Sequence, residues 1–263
     1  IADALAADLR AHGGVVHTGV DVTDLRQLPA ARAVLLDVTP RALVGLVGDR
    51  MPGGYRRALE RFRYGVGVAK IDFALSDPVP WADPEVALSG TVHVGGTRAQ
   101  IAAAENAVVR GELPHAPYVL VSQPSLFDPT RAPEGRHVLW AYTHVPAGSR
   151  ADREAAVVAQ IERFAPGFRD TILATSSRTA IDIAGWNPNF PGGDISAGAP
   201  SLPQLIGRPV YSPEPWRTPI PGIYLCSSST SPGPGVHGLA GWQAALSALR
   251  REFGTRLRPD LAP

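Results

Sequence analysis

Cysteine, lysine and methionine are nearly absent from this chain of 263 residues: it carries one Cys, Cys226, one Met, Met51, and a single lysine, Lys70, among 25 basic side chains. A lone cysteine excludes an internal disulfide and a thiolate zinc site, and it fits a reducing, cytoplasmic location. Charge of one sign is lacking too. Lys and Arg (25) almost cancel Asp and Glu (24), so no field is available to grip a nucleic-acid backbone, and nucleic acid is not an expected partner. No apolar run approaches the roughly 18 residues of a membrane span, and no basic region followed by an apolar stretch marks the start. The 7 histidines are scattered without ligand spacing, so no metal is expected. What is present, 44% hydrophobic residues and 19% charged, is the composition of a folded globular chain.

Ile1, Leu5 and Leu9 recur every four positions ahead of Gly13 and Gly14, which predicts an amphipathic helix over 1–12. Brief aliphatic runs at 15–17, 21–25 and 33–37 predict strands, the last closed by Thr39 and Pro40. A helix is predicted over 53–62 and a strand over 64–73. Thr97 and Gln100 have the spacing of a capping box opening a helix through Val109; Ser149 and Asp152 are a looser version ahead of Val157, Ile161 and Phe164. Strands are predicted at 118–122 and 137–144. Residues 186–203 are too rich in Asn, Pro and Gly for regular structure. Strand and helix alternate irregularly, as in helices packed on a mixed sheet.

The last stretch is the most informative: a strand at 223–226, a polar loop, the cluster Gly233, Pro234, Gly235, Val236, His237, Gly238, and a helix with Trp242, Ala245, Leu246 and Leu249 on one face. The cluster matches G-x-G-x-x-G, but six residues separate it from the strand and only about one helix follows, so it is not an adenosine-binding turn. Two readings remain open: bare amides at a helix start facing an electron-rich group, or glycines that merely allow a close chain crossing.

The run TPIPGIYLCSSSTSPGPGVHGLAG over 218–241 resembles the C-terminal flavin signature of phytoene desaturase and carotenoid isomerase-related oxidoreductases, which are FAD-dependent. Segments PNFPGGDI (188–195), FAPGFR (164–169), KIDFAL (70–75) with PVPW (78–81), and VLLDVTP (34–40) are similar to that family in the expected order. The resemblance implies an α+β, two-lobed flavoprotein architecture. An FAD-lobe remnant at 1–45 and the strand, glycine loop and helix of 205–263 would flank a substrate-binding lobe at 46–204. It implies FAD as cofactor, with Val22, Ser228, Ser229, Thr230, Gly235, Val236, His237 and Gly238 as cofactor-binding positions and serines where glycines are common. Lys70 and His237 are the implied catalytic candidates, Lys70 by analogy with a lysine that reaches flavin N5 through water. A solvated strand lysine and a locally bonded loop histidine are the plainer alternatives. Asp194 is expected to cap the following segment or line a cavity.

The implied reaction passes a hydride from an apolar, isoprenoid-like substrate to flavin N5; desaturation and isomerisation are not separated. The segment that grips the adenosine half of FAD is expected ahead of Ile1 or on a complementing chain, so that this fragment alone binds FAD weakly and is inactive. The alternative is a non-catalytic module that binds an apolar ligand or partner. Its bare apolar surface would favour a homo-oligomer or peripheral membrane contact.

Overall fold

The computed structural model describes residues 1–256; the end of the predicted 205–263 segment lies outside the described residues. In chain order the elements are helix α1 (Ala2–Ala11), strand β1 (Val34–Leu36), helices α2 (Pro40–Val47) and α3 (Gly53–Glu60), strands β2 (Gly67–Leu75) and β3 (Thr91–Val94), helix α4 (Arg98–Val109), strands β4 (Val119–Ser122) and β5 (His137–Val145), helices α5 (Glu154–Glu162) and α6 (Phe168–Thr171), strand β6 (Ile172–Arg178), helices α7 (Ala180–Trp186) and α8 (Leu202–Ile206), strand β7 (Ile223–Leu225) and helix α9 (Leu239–Glu252). None of the described helices is long and apolar enough to cross a membrane.

Two sheets organise the chain. The larger is antiparallel in the order β3-β4-β5-β2-β6, with Ile71 opposite Ala141, and Ala141 in turn opposite Val121. Strict alternation sends Ile71, Phe73 and Leu75 of β2 to one face, with Val119, Val121, Leu139 and Ala141 beside them. Helices α5 and α6 cover that face with Val157, Ile161 and Phe168. Phe168 is fully buried and meets Phe73 edge to face at 5.5 Å. Phe168→Ala is therefore expected to cost about 3–5 kcal/mol, read as a lowered midpoint in urea. The other face bears Lys70, Asp72, Trp140, Tyr142 and His144, all partly exposed.

The smaller sheet is the parallel pair β1 and β7, joined as Val34 to Ile223 and Leu36 to Leu225. A parallel pair is stable only when both faces are covered. Leu43, Val47 and Leu59 of α2 and α3 cover one, and Ala244 and Ala248 of α9 close on Tyr224 at the other. The face of α9 that packs is thus Ala240, Ala244, Ser247 and Ala248, not the predicted row of Trp242, Ala245, Leu246 and Leu249. Small side chains let the helix approach the strands, and the larger ones lie half-exposed along its flanks.

Other predictions are corrected as well. Residues 15–17 and 21–25 form no strand; Asp24 instead caps a turn of 3-10 helix at Leu25–Gln27. The Thr97 box is formed as predicted, Thr97 accepting from the Gln100 amide and Gln100 from that of Thr97. The Ser149 version is not: α5 starts after Arg153, and the Ser149 hydroxyl accepts from Ala151 instead. Helix α1 forms as predicted, but it buries none of its residues, and Ile1, Leu5 and Leu9 face outward.

Candidate functional site

The glycine cluster leads into α9 through Gly238, whose φ of 61° is left-handed. No side-chain oxygen caps the helix. The Leu239 amide donates to Nδ1 of His237 at 3.0 Å, so His237 folds back along its own chain. Amides of Ala240 and Gly241 have no intrahelical acceptor, as in any first turn, and Gly235, Val236, His237 and Gly238 are all exposed. The start of α9 is open, with the partial positive charge of the helix behind it.

The loop from β7 to this cluster is the reverse, tightly held. Ser229 and Thr230 are fully buried. Their hydroxyls donate to the carbonyls of Ala197 and Ser227, each at 2.7 Å, which leaves neither for a ligand. Ser228 is half-buried and its hydroxyl has no protein partner among the described residues. Val22 is half-buried in an irregular stretch.

Beneath the loop lies a side chain that sequence patterns did not reveal. Arg208 is 1% exposed, yet its Nε and Nη1 have no hydrogen-bond partner among the described residues. Nη2 alone donates, to Ser196 and Ala197 carbonyls at 3.4 and 3.3 Å. Burial pulls its guanidinium below the ordinary arginine range, against the opposing charge of Asp194. A Cβ at Gly233, where φ is 107°, would come within 3.5 Å of Nη1, so the glycine brings the backbone down onto the buried cation.

Asp194 ties these parts together. Its buried carboxylate accepts from the amides of Gly65, Ser196 and Gly198 at 2.7, 2.8 and 2.8 Å. It both caps the following turn and reaches the chain entering β2. The knot is strained: Ala197 is buried with a left-handed φ of 51°.

Lys70 stands on the open face of the large sheet, far from solitary: its ammonium pairs with Asp72 and lies 6.0 Å from the Trp140 ring. Lys70 and His237 make no contact with each other. A cavity of about 570 Å³ opens where β2, β5, α4 and the 194–200 loop meet, lined by aliphatic side chains with Glu105, His144 and Asp194. The Glu105 and His144 pair, 2.6 Å apart and 39 residues apart in sequence, carries no local signal that could have revealed it.

Cys226 follows β7, half-buried beside Asp37. Burial, and then the Asp37 charge, push its thiol from 9.0 up to about 11. A raised acid favours the folded state while it stays neutral, so this contribution is complete below about pH 9 and is lost between 9 and 11 as the unfolded thiol ionises. Cys226 is accordingly expected to resist thiol reagents at pH 8 until denaturant is added.

No family-level profile matches the chain. Across 92% of its length it is 30% identical to a mouse pyridine nucleotide-disulfide oxidoreductase domain-containing protein 2, of which it covers 44%. A shorter match, 31% identical over 48% of the chain and 26% of the relative, is to 4,4'-diapolycopen-4-al dehydrogenase of Metabacillus indicus. Among solved structures, an oxidoreductase from Methanosarcina mazei superposes with a TM-score of 0.61 at 17% identity, over 93% of this chain and 52% of that one. The chain therefore shares the fold of about half of that solved structure and spans less than half the length of the mouse relative it matches.

Proposed function

We propose that this chain is the part of an FAD-dependent oxidoreductase that meets the isoalloxazine end of the cofactor and supplies the substrate lobe. The observation that carries the reading is the exposed start of α9, reached from β7 through the polar loop and glycine cluster and backed by a buried arginine with unpartnered nitrogens. These residues fit a flavin. The bare amides of Ala240 and Gly241 suit a ring edge that gains negative charge, Ser228 offers a free hydroxyl, and Arg208 supplies a desolvated positive charge under the loop where an anionic group would rest. Bound FAD would supply the hydride acceptor. Lys70, held by Asp72, would keep a water and its proton at the open face of the sheet, and the aromatic and aliphatic side chains there would exclude bulk solvent.

The similarity to a diapolycopen-4-al dehydrogenase supports an apolar, isoprenoid-like substrate. The adenosine half of FAD is held by a segment other than those described, so the chain alone binds flavin weakly and is inactive. A second reading, a non-catalytic module for an apolar partner, draws on the exposed Ile1, Leu5, Val15, Val20 and Val236. The test is to supply a strand, glycine turn and helix ahead of Ile1 and record the visible spectrum. Stoichiometric flavin absorbance supports the first reading. A colourless complex that self-associates supports the second.

A further inference from the structure

We propose that the cavity between β2, β5, α4 and the 194–200 loop is a site for an elongated apolar molecule ending in a hydroxyl group, which His144 recognises through Nε2. The volume, about 570 Å³, lies within the usual range for small-molecule sites. Val66, Val68, Val108 and Ile195 make its walls apolar. One edge is polar and built: Glu105 Oε2 lies 2.6 Å from His144 Nδ1, while the Tyr118 and Tyr142 rings flank the imidazole at 6.4 and 6.1 Å. The Tyr118 hydroxyl is itself engaged by His93 Nδ1 at 2.5 Å, so it does not compete for His144.

With Nδ1 turned to the carboxylate, Nε2 is the ring nitrogen left for a ligand. It has no protein partner among the described residues. Among the described residues neither lysine nor arginine lines the cavity, and its charged groups besides the His144 pair reduce to Asp194, already held by three amides. A carboxylate ligand would lie beside the carboxylates of Glu105 and Asp194. An ammonium would have to shed its water against valines at a cost that a neutral hydroxyl avoids. A hydroxyl, able to donate to Nε2 or accept from it, pairs with the edge and is tolerated by the walls.

This rests on the apolar-ligand part of the proposed function and not on the flavin. The chain as it stands is titrated with 1-decanol, decanoate and decylamine by calorimetry, with the ¹⁵N resonances of the His144 ring followed by NMR. Decanol is expected to bind saturably and to move Nε2 more than Nδ1. His144→Phe should weaken it roughly five- to tenfold, the loss of one hydrogen bond; Glu105→Gln, which frees the tautomer, should weaken it by less. Val108→Trp should abolish binding with the circular dichroism unchanged. No saturable uptake, equal affinity in His144→Phe and Glu105→Gln, or tighter binding of decanoate or decylamine overturns the proposal. Uptake of decanol by a complex that never takes flavin overturns the flavin reading alone; a yellow complex indifferent to decanol overturns this one alone.

Discussion

Asp194→Ala is expected to destabilise the fold by about 3–5 kcal/mol, the largest loss for any single polar side chain here. Three amides, those of Gly65, Ser196 and Gly198, would lose their acceptor inside the protein. Arg208, already short of partners, would lose the one carboxylate charge that offsets its burial. Removing a buried carboxylate strands the amide donors that faced it and a nearby buried cation, which costs more than a surface charge would. The Asn variant keeps an oxygen for the amides but not the charge, so it should fall between wild type and Ala. Urea unfolding followed by tryptophan fluorescence measures both. A loss under about 1 kcal/mol for Ala would mean that the knot is held by its backbone alone.

Arg208→Met carries the second large effect, on flavin and not on folding alone. The thioether fills a similar volume without a charge. A buried cation about 6 Å from an anionic group contributes on the order of 1–3 kcal/mol at an effective dielectric near 20. In the complex completed by a dinucleotide-binding segment, flavin affinity should therefore fall roughly tenfold or more, while decanol uptake by the His144 cavity stays as it was. The discriminating measurement is a flavin fluorescence titration of both proteins. Equal affinities would show that the orphaned nitrogens of Arg208 serve only to pack the loop.

Much of the fold was legible because it is local. The box at Thr97 and Gln100 needs only three residues of spacing, and it forms as the sequence predicts. The alternation through β2 and β5 is written in their side chains. Strand β6 could not be found that way: Ala174, Thr175, Ser176 and Ser177 carry no apolar alternation, and the strand exists because β2 offers it an edge. The converse holds at 15–17 and 21–25, where aliphatic residues suggest strands that find no partner among the described residues. Helix α9 shows a third failure. Its largest side chains mark the wrong face, since the tight approach to Tyr224 selects alanines.

The site divides in the same manner. The glycine cluster, Asp194 and Lys70 stood out by composition or motif, and the structure gives each a definite setting. Ser229 and Thr230, candidates to hold the cofactor, turn their hydroxyls inward, Ser229 onto Ala197 of the 194–198 knot and Thr230 onto Ser227 of its own loop. Arg208 and the pair of Glu105 with His144 are contacts between distant segments, and no periodicity announces such contacts.

The proposed flavin contact is made by the amides opening α9. Amide hydrogen exchange of the completed complex, compared with and without FAD, addresses it directly. The strongest added protection is expected over residues 236–241. Bound flavin with unchanged exchange across those residues would contradict it.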